Sequence, residues 1–185
     1  MLNGILNINK PEGITSFDVI RKLKRITGRV KIGHAGTLDP MATGVLPVCI
    51  GKATKSIDYI MNESKIYRTV FKLGVSTDTY DREGKVVSTA DSSLITLEDI
   101  NKILPNFRGV IKQIPPMYSA LKVQGKRLYE MAREGIEIDR IPREVTIYSL
   151  ELLSYSHPFL ELRICCSKGT YIRSLCRDIG ESLGC

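Results

Sequence analysis

Residues 145–166, VTIYSLELLSYSHPFLELRICC, decide the fold because two apolar stretches flank one turn sequence. Residues 145–155 and 159–166 are rich in Leu, Ile, Val and Tyr, a composition typical of β-strands. Pro158, which follows His157, lacks the N–H that a continuing strand would donate and so indicates a turn. The stretch is therefore predicted to form two strands joined around His157 and Pro158.

Outward from this pair, further helices and strands are predicted in irregular order. Their alternation lacks regular βαβ units, which favours an α+β fold with a mainly antiparallel mixed sheet flanked by helices. The length of 185 residues favours one domain. The predicted strands are at residues 3–9, 45–50 and 67–73, with a loop at 30–43 and a loop or hairpin at 76–92. A short helix is predicted at 126–134, and three further helices are predicted to have their N-caps at Thr15 or Ser16, at Thr96 and at Thr170.

Positive charge is concentrated at the start of the chain. The sequence has 27 Lys and Arg against 20 Asp and Glu, and residues 1–55 hold nine of these cations with three anions. A localised basic surface favours a polyanionic partner such as nucleic acid, and a solvated face without a partner is the alternative. On the predicted first helix, four basic residues form a stripe that we interpret as a phosphate contact: Arg21, Lys22, Lys24 and Arg25.

Several classes of protein are excluded by what the sequence lacks. No apolar run approaches the ~20 residues that cross a bilayer, and the start of the chain has no signal-peptide pattern. Five cysteines without a C-x-x-C pair fit neither a disulfide framework nor a zinc site. No phosphate-binding loop, dinucleotide fingerprint or H-E-x-x-H motif is present, so we expect no cofactor and no metal. The expectation is a cytoplasmic monomer with reduced thiols.

Residues 33–40, GHAGTLDP, form the most informative loop for chemistry. Asp39 precedes Pro40, which restricts the backbone, and the glycines allow a ligand to approach closely. A carboxylate in such a loop suits a nucleophile or a base, whereas a turn or capping role is the alternative. His34 in the same loop is a candidate hydrogen-bonding or catalytic group.

Residues 168–173, KGTYIR, place an aromatic ring and a guanidinium at the start of the last predicted helix. Arg173 could hold a buried carboxylate in its ionised form through a bidentate pair, or be a surface arginine. Tyr171 and the strand residue Tyr67 could stack on bases, or be packing residues.

Five motifs, in chain order, resemble the signature stretches of the TruB family of bacterial tRNA pseudouridine-55 synthases. The resemblance implies the pseudouridine synthase catalytic fold and isomerisation of the T-loop uridine at position 55 of tRNA to pseudouridine. It also implies that the reaction needs no redox step, metal or other cofactor. The motifs occupy residues 9–16, 33–46, 65–81, 115–122 and 167–175, and the similarity runs from about residue 3 to residue 184.

By position in these motifs, the resemblance assigns catalytic roles to Asp39, Tyr67 and Arg173. Asp39 would add to uracil C6, attack C1′ or abstract the C2′ proton, and these three routes stay open. Arg173 would pair with Asp39 and keep it charged. Tyr67 would pack against the target uracil and could assist proton removal at C5.

The resemblance also implies contacts with RNA. His34, Tyr67 and Tyr171 match substrate-contacting positions, and His34 would help to hold open the RNA loop from which the base is flipped. Lys10 matches a position that supports the motif loops. The implied partner is the T-arm stem-loop of tRNA, with no membrane and no small-molecule cofactor.

Family members continue beyond these motifs into a closing segment of the catalytic domain, with a leucine that contacts the substrate, and usually into a small RNA-binding domain of the PUA type. Against that pattern, residues 1–185 are expected to be a catalytic domain truncated at its C-terminal end, without the PUA-type domain. Two alternatives stay open. One is a tRNA-binding or folding module with weak or no catalysis, and the other is a guide-RNA-dependent synthase that works inside a protein–RNA particle.

Overall fold

The first of two structural units ends at Glu63 and contains a three-stranded antiparallel sheet, in a computed structural model that describes residues 2–185. Its elements are β1 (Gly4–Lys10), α1 (Ser16–Thr27), β2 (Ile32–His34), β3 (Gly44–Ile50), a 3-10 helix (Gly51–Ser56) and α2 (Ile57–Asn62). The central strand β3 pairs with β1 on one side and with β2 on the other. One sheet therefore carries both the strand that ends at Lys10 and the strand that ends at His34.

Helix α1 starts and ends where the sequence predicts. Thr15 is its N-cap, because its hydroxyl accepts the N–H of Asp18 at 3.1 Å and the Asp18 carboxylate accepts the N–H of Thr15 at 2.8 Å. An N-cap of this kind stabilises a helix by about 1 kcal/mol. Gly28 ends the helix with a φ of 72°, a conformation that glycine adopts without strain.

The apolar face of α1 packs on the sheet and forms the core of the first unit. Complete burial of one aliphatic side chain contributes about 1.5–3 kcal/mol. The buried members of this core are Val19, Ile20, Ile32, Leu46, Val48 and Ile50. The opposite face of α1 carries the predicted basic stripe, and Arg21, Lys22, Lys24 and Arg25 are all exposed.

The second unit, Ser64–Cys185, contains a four-stranded antiparallel sheet and two short hairpins. Its elements are β4 (Lys65–Lys72), β5 (Val75–Thr77), β6 (Val86–Thr89), α3 (Leu97–Ile103), a 3-10 helix (Leu104–Phe107), β7 (Gly109–Gln113), β8 (Lys122–Val123), β9 (Lys126–Arg127), α4 (Leu128–Arg133), β10 (Arg143–Ser156), β11 (Phe159–Cys166) and α5 (Ile172–Ser182). The strand order of the sheet is β4–β11–β10–β7, and the hairpins pair β5 with β6 and β8 with β9.

Strand β11 shows how the sequence covers one face of this sheet. Leu160, Leu162 and Ile164 are fully buried and alternate with residues that are exposed or half-buried. They belong to one core with Leu175 and Ile179 from the apolar face of α5. The central strand pair and the last helix therefore form the main core of the second unit.

The predicted strand pair and the predicted fold class are confirmed. Strands β10 and β11 pair with Ser156 opposite Phe159, and the architecture is α+β with antiparallel sheets and flanking helices. The segment predicted as a loop or hairpin at 76–92 contains the β5–β6 hairpin. Within residues 2–185, none of the helices has the length and apolar character that a membrane span requires.

Two short elements differ from the prediction because backbone pairing defines them. Residues 32–34, predicted as part of a loop, form β2 by pairing with β3, and three residues are too few to show a period. The helix predicted from Lys126 begins at Leu128 instead. Lys126 and Arg127 form the second strand of a hairpin, which delays the helix by two residues.

The last helix begins one residue later than predicted. The N-cap of α5 is Tyr171, because the hydroxyl of Thr170 donates to the carbonyl of Ser167 at 2.9 Å instead of capping the helix. The side-chain carbonyl of Gln113 accepts the N–H of Tyr171 at 2.8 Å, and its amide donates to the carbonyl of Tyr171 at 3.1 Å. A buried glutamine 58 residues away therefore fixes the main chain of the N-cap residue, whose own side chain makes no capping bond.

Candidate active site

A buried lysine is hydrogen-bonded to the loop that carries Asp39. Lys10, the last residue of β1, is 0% exposed, and its Nζ donates to the carbonyls of Pro11 at 2.9 Å, Ile14 at 2.7 Å and Pro40 at 3.1 Å. Burying an ammonium group without such acceptors would cost several kcal/mol, as a rough figure. Because Pro40 follows Asp39 directly, Lys10 connects the turn after β1 with the turn at Asp39.

Two further hydrogen bonds connect the Asp39 turn to the start of α1. The hydroxyl of Ser16 accepts the N–H of Leu38 at 2.9 Å and donates to the carbonyl of Leu38 at 3.1 Å. The carbonyl of Asp39 accepts the N–H of Ala42 at 3.0 Å, which closes the turn. The half-buried Asp39 is therefore carried by a turn whose main chain is bonded on both sides.

His34 has a defined tautomer in its neutral form. It is half-buried at the end of β2, and its Nδ1 is hydrogen-bonded to the carbonyl of Gly36. A carbonyl oxygen can only accept, so Nδ1 carries the hydrogen and Nε2 is the acceptor of the neutral ring. The next residue, Ala35, donates its N–H to the carbonyl of Pro47 at 2.8 Å, which anchors this segment to β3. The histidine can therefore offer an acceptor nitrogen to a ligand.

Arg173 joins three segments of the second unit. Its Nη1 donates to the carbonyl of Thr79 at 3.0 Å and to Oδ2 of Asp81 at 3.2 Å, and its Nη2 donates to the carbonyl of Tyr118 at 2.9 Å. The side chains of Arg173 and Asp81 are 14% and 9% exposed, so this ion pair is largely buried. Removing one partner of a buried pair costs about 3–5 kcal/mol. The orientation of the guanidinium is therefore set by α5, the loop after β5 and the segment before β8.

Asp81 is a site residue to which sequence reasoning gave no role. Its Oδ1 accepts the hydroxyl hydrogen of Thr79 at 2.6 Å and the N–H of Glu83 at 3.0 Å, while Oδ2 binds Arg173. The sequence signal was the motif Thr77–Asp81, which is part of the resemblance. Its partner lies 92 residues away, so no local spacing could have paired the two.

The first turn of α5 is anchored to the end of β7. Gln113 holds Tyr171 through the two bonds described above, and the buried hydroxyl of Ser174 donates to the carbonyl of Ile114 at 2.8 Å. Arg173 lies between these two anchors. Its backbone is therefore fixed independently of its own side-chain bonds.

Tyr67 lies on β4, opposite Ile164 of β11. It is half-buried and packs against the main core of the second unit. Strand pairing and core packing thus fix the ring, and its contact with a substrate remains a prediction.

Thiol chemistry is disfavoured on α5. Burial raises the pKa of the Cys176 thiol to about 12, so this thiol stays protonated near neutral pH and is a poor nucleophile. Within residues 2–185, no group of three or more His, Cys, Asp or Glu side chains is arranged to hold a metal ion. The carboxylate of Asp39 is the better candidate nucleophile or base.

The predicted site residues divide between the two units. Lys10, His34 and Asp39 lie in the first unit, and Tyr67, Tyr171 and Arg173 lie in the second. The predicted pairing of Arg173 with Asp39 remains a prediction, as do the catalytic and substrate-binding roles.

Comparison with known proteins identifies relatives over the whole chain. The family described as "TruB family pseudouridylate synthase (N terminal domain)" matches residues 24–172. A relative named "tRNA pseudouridine synthase B" from Clostridium novyi is 58% identical over 184 residues, which is 100% of this chain. The chain spans 63% of the length of this relative.

Two solved structures are similar to this chain in fold as well as in sequence. One, described as "Crystal Structure of a Cbf5-Nop10-Gar1 Complex", is 31% identical with a TM-score of 0.74, and its likeness covers 98% of this chain and 44% of that one. Another, "Structure of H/ACA RNP bound to a substrate RNA containing 2'-deoxyuridine", is 28% identical with a TM-score of 0.70 and covers 98% of this chain and 43% of that one. Together with the family match, these findings show that the chain belongs to the TruB family of pseudouridylate synthases.

Proposed function

We propose that the protein is an RNA-modifying isomerase that converts the T-loop uridine at position 55 of tRNA to pseudouridine. The observation that carries the proposal is the Asp39 turn, which Lys10 and Ser16 hold through main-chain bonds. Family membership and 58% identity to a relative named tRNA pseudouridine synthase B support it. The family description that matches residues 24–172 is that of an N-terminal domain, and we propose that residues 1–185 represent the catalytic part.

The proposed reaction exchanges one bond of the uridine for another. The N1–C1′ bond breaks, the uracil turns within the site, and C5 bonds to C1′. C5 loses a proton and N1 gains one, so atoms and electrons balance without a co-reactant. Asp39 acts as a nucleophile at C6 or at C1′, or as the base that removes the C2′ proton. All three routes require an ionised carboxylate.

Arg173 keeps Asp39 ionised in the proposed mechanism. A guanidinium beside a carboxylate favours the charged form and lowers the carboxyl pKa. Asp81 and the carbonyls of Thr79 and Tyr118 fix the orientation of Arg173. The cation is thus preorganised and does not reorient as charge on Asp39 changes during the reaction.

Three side chains are proposed to contact the RNA at the flipped nucleotide or beside it, and His34 helps to hold open the loop from which the base is flipped. Tyr67 packs against the uracil and assists proton removal at C5, and Tyr171 contacts the substrate. His34 accepts a hydrogen bond at Nε2, for which a 2′-hydroxyl or a base N–H is a suitable donor. The Nδ1 bond of His34 supports this role, because it leaves Nε2 as the acceptor.

The proposed partner is the T-arm stem-loop of tRNA. The exposed stripe on α1 supports RNA binding, since Lys and Arg neutralise phosphates. A similar structure described as bound to a substrate RNA supports the same class of partner. Flipping a base costs a few kcal/mol, as a rough figure, and phosphate contacts offset that cost. We propose a monomer that acts in the cytoplasm, in keeping with its free cysteines.

Tritium release tests the proposed function. T-loop RNA that carries tritium at uridine C5 should release label to water when incubated with the 185-residue chain, in buffer with a chelator and without nucleotide. The Asp39→Asn variant at equal concentration should release none. If the wild-type chain binds the RNA and retains all label, the isomerase proposal is wrong and a tRNA-binding or folding module is favoured.

A further inference from the structure

Two arginines one turn apart on α5 hold three consecutive residues of one loop. Arg173 bonds to the carbonyl of Thr79 and to the carboxylate of Asp81. Arg177 lies four residues later on the same helix face and contacts Tyr80, the residue between them. The arginine side chains are 14% and 16% exposed. The loop is thus attached to α5 at each of these three residues.

Tyr80 has a backbone conformation that strains a tyrosine. Its φ is +59°, in the left-handed region that favours glycine and, to a lesser extent, asparagine. The guanidinium carbon of Arg177 lies 5.0 Å from the centre of the Tyr80 ring, and Nη1 of Arg177 donates to the phenol oxygen at 3.3 Å. The cation–π contact and the hydrogen bond together hold the side chain. The N–H of Tyr80 also donates to the carbonyl of Thr77 at 3.2 Å, so this main-chain bond and the two side-chain contacts together maintain a backbone conformation that the residue type disfavours.

Arg177 is itself held by two carboxylates of α5. Oδ1 of Asp178 accepts hydrogen bonds from Nε of Arg177 at 2.9 Å and from Nη2, and Oε1 of Glu181 lies 3.5 Å from Nε. Burial acts to lower the pKa of Arg177, but hydrogen bonds with Tyr80 and Asp178 outweigh it and raise the pKa above its ordinary value. Arg177 is therefore a fixed cation.

We propose that Arg177 is a positioning residue for the isomerisation, acting through Tyr80 to fix the loop that orients Arg173. The inference rests on the proposed function. If Tyr80 leaves the left-handed conformation, the peptide groups on either side rotate and displace the carbonyl of Thr79 and the carboxylate of Asp81. Arg173 would then lose two of the acceptors that orient it, and the cation proposed to keep the catalytic carboxylate ionised would lose its fixed direction.

Substitution of a positioning residue should lower kcat and leave KM unchanged. Arg177 is assigned no contact with RNA or with the reacting atoms, so its loss should leave ground-state binding of RNA unchanged. Misorientation of Arg173 weakens an interaction that matters most as charge moves in the transition state, so kcat should fall. If Arg177 were purely structural, its substitution would lower the melting temperature without lowering kcat selectively over KM.

The test compares Arg177→Met in the wild-type and the Tyr80→Gly backgrounds by the rate of tritium release from C5-labelled T-loop RNA. Methionine keeps an unbranched, flexible side chain and removes the charge and the N–H donors. Glycine adopts a positive φ without strain, so the loop no longer needs the contact with Arg177. We expect Arg177→Met to lower kcat about tenfold with KM changed by less than about twofold. In the Tyr80→Gly background the same substitution should cost about twofold or less.

Arg163→Met is the matched control, because Arg163 on β11 is 44% exposed and pairs with Glu151 at 3.2 Å. It should leave kcat unchanged. The proposal is overturned if Arg177→Met leaves kcat unchanged, or lowers it by the same factor in both backgrounds.

A second readout does not depend on turnover. Fixed hydrogen bonds keep the guanidinium NMR signals of Arg173 distinct, and these signals should broaden in Arg177→Met and sharpen again in the double variant with Tyr80→Gly. If the wild-type chain releases no tritium, the proposed function fails, and the NMR signals alone decide the positioning role. Unchanged Arg173 signals in Arg177→Met would overturn it.

Discussion

The two units hold the turns that carry their key carboxylates by different sets of bonds. In the first unit, Lys10 and Ser16 bond to carbonyl and N–H groups of the turn that carries Asp39. In the second unit, bonds to the main chain of the loop, such as that from the Thr77 hydroxyl to the carbonyl of Asp81 at 2.7 Å, are joined by three bonds that end on the Asp81 carboxylate itself, one of them from Arg173. The turn that carries Asp39 is fixed through its main chain, which suits a side chain used in chemistry. The Asp81 carboxylate accepts three of the bonds that fix its own loop, so this side chain serves as an anchor.

Asp39→Asn is expected to have the largest effect. It should lower the rate of pseudouridine formation by about a thousandfold or more, because the amide is neither a nucleophile nor a base. The free energy of unfolding should fall by only about 1 kcal/mol, because the turn keeps its main-chain bonds while the proposed pair with Arg173 loses one charge. Rate and urea denaturation measure the two quantities. Asp58→Asn on α2, an exposed position of the same unit, is the control and should change neither. If the loss of unfolding free energy equals the loss of transition-state stabilisation calculated from the rate, Asp39 has a structural role and does not differ from Asp81.

Lys10→Met should cause the largest loss of stability. The substitution leaves three carbonyls without the buried ammonium, and each unsatisfied group costs about 1–3 kcal/mol, so we expect a total near 3 kcal/mol or more. Turnover should also fall, because the Asp39 turn loses a main-chain tie. Urea denaturation measures the effect, with exposed Lys52→Met as the control. Unchanged stability would show that the turn is held by other means.

Asp81→Asn should lower stability and rate together. The variant loses the ion pair with Arg173, a charge-assisted bond worth about 2 kcal/mol, and loosens the cation proposed to act on Asp39. A rate loss of about tenfold should therefore accompany the loss of stability. Thermal denaturation and tritium release measure both, with exposed Asp139→Asn as the control. A loss of rate with little loss of stability would show that Asp81, like Asp39, acts in the chemistry and does not anchor the loop.

Neutralising the α1 stripe should have the smallest effect on chemistry. The double variant Lys22→Gln/Arg25→Gln should reduce the slope of log affinity against log salt by about 1.4–1.8, because each phosphate contact contributes about 0.7–0.9. The rate at saturating RNA should not change. Lys72→Gln/Lys102→Gln, with two exposed lysines of the second unit, is the matched control and should keep the slope. An unchanged slope in the α1 variant would show that the stripe does not contact phosphate.

Local signals predicted much of the fold. Thr15 and Asp18 mark the start of α1 and Gly28 marks its end, each next to the terminus concerned, and the structure has the cap at both ends. The strands around His157 and Pro158 also followed from composition and turn residues. Such elements depend on neighbours in sequence, so a sequence alone suffices to predict them.

The bonds that build the candidate site could not be predicted in this way. Lysine is a residue type that normally lies on the surface, yet Lys10 is fully buried and binds a carbonyl 30 residues away. Gln113 binds Tyr171, the N-cap of α5, across 58 residues, and Asp81 binds Arg173 on α5 across 92 residues. The resemblance to known motifs assigns roles to particular residues, and these roles stay predictions; it does not give the contacts that hold the residues, because those contacts arise only in the folded chain.

The most direct test of the central claim is the position and rate of pseudouridine formation in an unmodified tRNA transcript, mapped nucleotide by nucleotide. We predict pseudouridine at the T-loop uridine with the wild-type chain, and none with Asp39→Asn at a concentration where both bind the transcript equally. Modification of that uridine at the same rate by Asp39→Asn would contradict the account, and so would modification by the wild-type chain at other uridines alone.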